Sequence, residues 1–188
     1  MPASLDLVDL LAFAAGSLLL VWLSRKPLRH PGSHGFYRFL AWECMLALVV
    51  LNRRPWGEDP FSAHQLTAWV LLLASIFLVV AAVRSLRRAG RPTPQRDDNA
   101  LYEFEKTTQL VSDGIFRHIR HPMYASLLAL AWGAFFQAPS WAGGSLVAAA
   151  SLFLLLTALA DEKECLAYFG QTYADYMRRT RRFIPGLF

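Results

Sequence analysis

Residues 121–160 contain no Asp, Glu, Lys or Arg, and neither do residues 64–83. A surface helix or strand of a water-soluble domain renews its polar face every 3.6 or every second residue, and in these stretches that face carries no charge. A helix needs about 20 apolar residues to cross a bilayer. Runs of this kind therefore select membrane-spanning helices. A third stretch, 7–23, carries a single charge, Asp9. Composition agrees: 55% of residues are hydrophobic and 18% charged, which excludes a disordered chain. Two cysteines in 188 residues exclude a disulfide scaffold.

The pattern predicts an all-α, polytopic membrane protein with five transmembrane helices: 5–23, 36–51, 64–83, 123–137 and 141–160. The second is short and carries Arg38 and Glu43; the fourth is short and ends at Ala138-Pro139-Ser140, a tight turn. Basic residues alternate between connections. Arg25, Lys26 and Arg29 follow the first span, and Arg53 and Arg54 follow the second, offset by Glu58 and Asp59. Many arginines lie in 84–120, and Arg178, Arg179, Arg181 and Arg182 in the tail. The positive-inside rule then puts the N-terminus outside and the C-terminus in the cytosol, as five spans require. An inner, cytoplasmic membrane fits this orientation. The net charge of +5 comes from arginines at span ends, so a nucleic-acid partner is excluded in favour of membrane lipids. The chain reads as one membrane domain, 1–188, with three N-terminal spans in 1–84.

Ala125, Ala129 and Gly133 recur at every fourth position, as do Gly144 and Ala148. Small residues at this spacing let helices approach closely, and the expectation is a tight hairpin of spans four and five.

Three places break the plain bundle pattern. Residues 84–120 form a connection too long to be a simple turn, with apolar anchors at Tyr102, Phe104, Leu110, Val111, Ile115 and Phe116. Asp161-Glu162-Lys163-Glu164 puts three carboxylates at the inner end of the fifth span, where a helix C-terminus prefers cations. They are either a site or the solvated face of a helix that continues. Arg120-His121-Pro122-Met123-Tyr124 opens the fourth span, with Pro122 suited to a first helical turn. This string either holds a zwitterionic ligand with the carboxylates or anchors the span at the interface. Glu43 lies inside a span, where a carboxylate is expensive; it either meets a partner or cavity or reaches water at the span end. Metal binding is not supported: His118 and His121 lack further ligands at metal spacing.

Residues 110–124, ending in Arg120-His121-Pro122-Met123-Tyr124, resemble the signature of the isoprenylcysteine carboxyl methyltransferase family and of the related phospholipid methyltransferases. Asp161-Glu162, Phe169-Gly170, Tyr173, Tyr176 and Ile184-Pro185 follow in the family's order, so the likeness covers about residues 105–188. It implies an integral membrane enzyme using S-adenosylmethionine, with 85–188 as the catalytic region, built from a helical hairpin and a cytosolic C-terminal helix. By position, cofactor contacts are implied for Thr108, Gln109, Leu110, Val111, Phe116, His121, Pro122, Met123, Tyr124, Asp161 and Glu162. Catalytic roles are implied for Arg120, His121 and Glu162. The acceptor would be a lipophilic, membrane-embedded molecule entering between helices, with Glu43, Thr157, Tyr173 and Tyr176 along its path. Tyr173, Tyr176 and Thr180, on one face of a helix over 171–182, would lid the pocket.

Two positions depart from the family pattern. Asp161 stands where the family has a glutamate. Thr157 stands where prenylcysteine enzymes have an arginine four residues before the acidic pair, which removes a partner for a substrate carboxylate. An isoprenylcysteine-like carboxylate and a phospholipid or other amine both remain as acceptors. A nicotinamide-dependent reductase on the same scaffold and a small transporter or scaffold protein are the alternatives.

Overall fold

The computed structural model describes residues 6–54, 56, 59–89 and 110–187. Among the described residues there are six α-helices: α1 (Leu7–Leu23), α2 (His34–Leu51), α3 (Ala63–Ala89), α4 (Pro122–Gln137), α5 (Trp141–Phe169) and α6 (Gln171–Arg179). Short 3₁₀ turns occupy Pro27–Arg29 and Gly114–Arg117. Among the described residues the only β pairing is an isolated parallel bridge between Ile119 and Arg181.

Local chemistry sets the helix starts. Asp6 caps α1 in a capping box with Asp9; Ser33 and Ser140 accept from the N–H groups of Phe36 and Gly143 at the starts of α2 and α5. Pro122 occupies the first position of α4, where no N–H is needed. Three helices, α2, α3 and α5, are long and apolar enough to cross a membrane. α1 and α4 have 17 and 16 residues, about 24–26 Å at 1.5 Å per residue, short of a ~30 Å hydrocarbon core. α5 has 29 residues. It runs nine residues past the predicted end of its span, so the carboxylates of 161–164 lie within a helix and not at its C-terminus. The dipole argument for a site there falls away.

The helices lie in the order α1, α2, α5, α4, α3, with α3 packed most extensively on α4 and α5 on α2. The predicted α4–α5 hairpin exists, but it is not the closest pairing. A Cβ on Gly133 would meet Leu72 Cγ at 2.9 Å and the Ala68 carbonyl at 3.3 Å, so this small residue admits α3. On α5, Gly143, Val147, Ala150, Leu154 and Ala158 form the buried seam, whereas Ala148 is exposed. The outward faces of α1 and α3 are rows of exposed Leu, Val, Ile and Phe, the surface expected against lipid.

The end of the bundle away from the acidic residues is closed by side chains. α4 ends buried and without a glycine cap. Asn52 Nδ2 donates to the Ala134 carbonyl (2.8 Å), Gln65 Nε2 donates to that of Gln137 (3.1 Å), and His64 Nδ1 lies 3.0 Å from that of Phe136. These are the carbonyls a helix cannot satisfy for itself. On the same side Asp9, 3% exposed, pairs with Arg53, and Asp6 with Arg54. The one charge of α1 thus points inward to a counter-charge.

Candidate active site

The opposite end carries the polar constellation. α4 starts there, held by backbone pairing to the tail: Arg120 N–H donates to the Arg181 carbonyl (2.7 Å) and His121 N–H to that of Arg182 (3.1 Å). This pairing explains why α6 stops at Arg179 and not at 182. Thr180 turns extended, its hydroxyl donating back to the Tyr176 carbonyl (2.8 Å), and residues 181–182 run beside 118–121.

Glu162 is 4% exposed and lies at the centre of this junction. Its Oε1 accepts from Arg120 Nε (2.9 Å) and its Oε2 from Arg182 NH2 (2.9 Å). Arg120 also donates to the carbonyls of Met177 and Thr180. The carboxylate therefore ties α5 to the start of α4 and to the tail. His121 is 5% exposed; Nε2 is 3.4 Å from Glu162 Oε1, and Nδ1 is 3.6 Å from Asp161 Oδ2. Burial works against its protonated form, but the hydrogen bonds and charges of Asp161 and Glu162 more than offset it. Its pKa is raised above the ordinary histidine value. The ring stacks on Tyr124, centroids 5.3 Å apart.

A cleft with a cavity volume of about 130 Å³, partly open to solvent, lies against this junction. Its polar lining is Arg120, His121, Tyr124, Asp161 and Cys165, with Phe116, Phe169, Tyr173 and Tyr176 as aromatic walls. Tyr124 O–H donates to Asp161 Oδ2 (3.1 Å) and Cys165 Sγ to Oδ1 (3.5 Å). Tyr176 O–H donates to the Phe116 carbonyl (2.7 Å), and burial raises the pKa of both Tyr173 and Tyr176, so both hydroxyls stay protonated. Phe116 is held by the Gly114–Arg117 turn. Gly114 has φ +62°, and a Cβ there would meet Ser85 Oγ at 2.3 Å, so the turn lies hard against α3. α4 begins without a side-chain cap, leaving its first N–H groups at the cleft, where a helix favours an anion.

The cleft brings together Leu110, Val111, Phe116, Arg120, His121, Pro122, Met123, Tyr124, Asp161, Tyr173 and Tyr176 of the residues singled out in the sequence. Thr108 and Gln109 lie outside the described residues. Glu162 is not in the lining; it acts behind Arg120 and His121. Thr157 is fully buried and its hydroxyl donates to the Phe153 carbonyl (2.7 Å), so it offers the cleft no polar group. Glu43 faces α1, accepting from Ser17 Oγ (2.5 Å), and belongs to neither the cleft nor its lining. Sequence reasoning missed Leu86 and Cys165 in the lining and Arg182 as a partner of Glu162. Cys165 was within reach, being one helical turn beyond Asp161.

A cofactor with a sulfonium, an ammonium, a carboxylate and an adenine ring fits these groups. Asp161 supplies negative charge, the uncapped end of α4 receives a carboxylate, and the aromatic walls take a flat base or face a cation.

Residues 63–172 match the model of the phospholipid methyltransferase family, and the chain belongs to that family. Membership implies a methyl donor, and with three apolar helices it makes this an integral membrane protein. Methanethiol S-methyltransferase 2 of Bradyrhizobium diazoefficiens is 36% identical over 76 residues, 39% of this chain and 28% of that relative. Methanethiol S-methyltransferase of Pseudomonas deceptionensis is 27% identical over 125 residues, 63% of this chain and 42% of that relative. The chain thus matches less than half the length of these curated relatives. No solved structure matches it.

Proposed function

We propose that the protein transfers a methyl group from S-adenosylmethionine to an apolar acceptor drawn from the membrane, a small thiol being the acceptor best supported. The observation that carries this reading is the cleft itself: Asp161, Tyr124 and the uncapped start of α4 meet in one cavity, within the segment that matches the family. The thiol comes from the names of the two similar proteins. A buried Thr157, with no cation at its position, gives an acceptor carboxylate no partner there.

The proposed roles are as follows. Asp161 holds the cofactor's ammonium, positioned by the Tyr124 hydroxyl. The α4 start, with Met123 and Tyr124, receives its carboxylate. Phe116, Phe169, Tyr173 and Tyr176 enclose the adenine and exclude water, with α6 as the lid. His121 and Arg120 line the acceptor end of the cleft, where their N–H groups favour a thiolate over a thiol. When bound, S-adenosylmethionine supplies an electrophilic methyl group that passes to the acceptor sulfur as S-adenosylhomocysteine and a proton are released. Glu162 is a positioning residue acting through Arg120 and His121. The chain works as one membrane unit of five spans with the cleft facing the cytosol, the short α1 and α4 spanning beside the three longer helices.

Calorimetric titration of the detergent-purified protein with S-adenosylhomocysteine tests the cofactor half, with Asp161→Ala as control. Saturable binding lost in the variant is expected. Labelled methyl transfer is then compared across a short alkanethiol, a prenylcysteine and a phosphatidylethanolamine. Product on the thiol alone supports the reading; product on either of the others moves the acceptor to that class. Absence of binding in a folded sample refutes the cofactor assignment.

A further inference from the structure

Beside the cleft lies a second cavity, an apolar groove of about 670 Å³ between α3, α4, α5 and the tail. Leu71, Leu128, Trp132, Phe136, Leu155 and Phe183 are among its lining residues. On α4 the two cavities are one residue apart. Tyr124 lines the cleft, and Ala125 lines the groove. On the tail, Phe183 lines the groove. Its ring faces the groove, and its centroid is 6.2 Å from that of His121, which lines the cleft.

We infer that Phe183 is the specificity-determining wall of the site, limiting the acceptor to a short apolar group by closing the cleft from the groove. This rests on the proposed methyl transfer and adds the class of acceptor the cleft takes. The ring is not placed as a swinging gate. It is 9% exposed and belongs to a core cluster with Ile119, Tyr124, Ala125, Leu154 and Ala158. The residue before it is anchored twice: Arg182 NH2 holds Glu162 Oε2 (2.9 Å), and its carbonyl accepts from His121 N–H (3.1 Å). A ring held this way cannot make room for an alkyl chain running from the reacting end of the cleft. An acceptor of a few carbons stops short of it. Truncating the ring opens the space between the two cavities on the side of the tail, and a chain bound at His121 would then continue into the groove towards Trp132.

Cys165 lines the cleft and reports on this path without any turnover. In a Cys44→Ser background, an alkyl methanethiosulfonate gives up its alkylthio group to the Cys165 thiolate and releases methanesulfinate. The rates for a dodecyl and a methyl reagent are compared in lipid nanodiscs. In the Phe183 protein the dodecyl-to-methyl ratio is low; Phe183→Ala raises it at least tenfold, and Phe183→Leu, which keeps most of the packing, raises it less. In parallel, the ratio of kcat/KM for dodecanethiol over ethanethiol rises in the same order. An unchanged labelling ratio in Phe183→Ala that still binds S-adenosylhomocysteine overturns the wall. A protein that methylates no alkanethiol refutes the acceptor class proposed above, while the labelling ratio still decides whether Phe183 divides the two spaces.

Discussion

Replacing Glu162 by alanine should undock the tail from the bundle. The carboxylate is 4% exposed and is shared by two guanidinium groups, Arg120 with a side chain 8% exposed and Arg182 with one 26% exposed. Removing one partner of a buried ion pair typically costs about 3–5 kcal/mol, because the remaining charge stays buried and uncompensated. Arg182 is partly open and can recover water by letting go of α5, so the lower figure, about 3 kcal/mol, applies. At 1.4 kcal/mol per tenfold, that is on the order of a hundredfold in the ratio of undocked to docked tail. The readout is tryptic cleavage at Arg181 and Arg182. In the docked state the backbone of both residues is engaged with 118–121. When opening and closing are fast, cleavage follows the open population. Glu162→Ala should therefore be cut about a hundredfold faster there, with Arg182→Ala giving a smaller increase at the remaining Arg181 site and the double variant, read at the same site, little beyond Glu162→Ala. Cleavage within threefold of the parent would refute the view of Glu162 as the tie. So would rapid cleavage of the parent itself.

Three further outcomes follow from the geometry. His121 has a raised pKa in the fold, so its stabilisation is complete below about 6.5, the unfolded value, and fades as pH rises through the folded one. The thermal midpoint should fall over the neutral-to-alkaline range, and His121→Gln should flatten that slope. Gly133→Leu forces α3 off α4 against Leu72 and the Ala68 carbonyl, costing at least the ~1–3 kcal/mol of an overpacked core, read as a lowered midpoint in detergent. Asn52→Ala leaves the Ala134 carbonyl buried without its strongest donor, a loss of about 1–3 kcal/mol at the far end of the bundle, with S-adenosylhomocysteine affinity unchanged.

Much of this architecture was readable in the amino acids. Charge-free runs mark apolar helices because a bilayer tolerates nothing else, and Pro122 and Ser140 mark where α4 and α5 begin. The end of α5 was not readable, because hydropathy marks where the lipid stops and not where the helix does; Asp161 to Phe169 continue it. Helix partners were hidden for a related reason. Gly133 announces a close approach without saying to what, and α3 proved to be the neighbour. In the site, Tyr124 and Asp161 were legible through ordered motifs. The parts played by Arg182 and Phe183 were not, since both depend on a tail folding back across a distance that no periodicity encodes. Glu43 shows the converse: an intramembrane carboxylate suggested the acceptor path and proved to bond Ser17 on the opposite flank.

The junction at Glu162 also imposes an order of assembly. Synthesis runs from the N-terminus, so the five apolar helices can be made before Arg182 and Phe183 leave the ribosome. Until then Glu162 has one guanidinium and not two, and Phe183 has not yet come beside His121. Insertion and completion of the cleft are therefore separate events in the life of the chain. A molecule interrupted near residue 180 would carry the residues of all six helices without the tail strand that pairs with the start of α4.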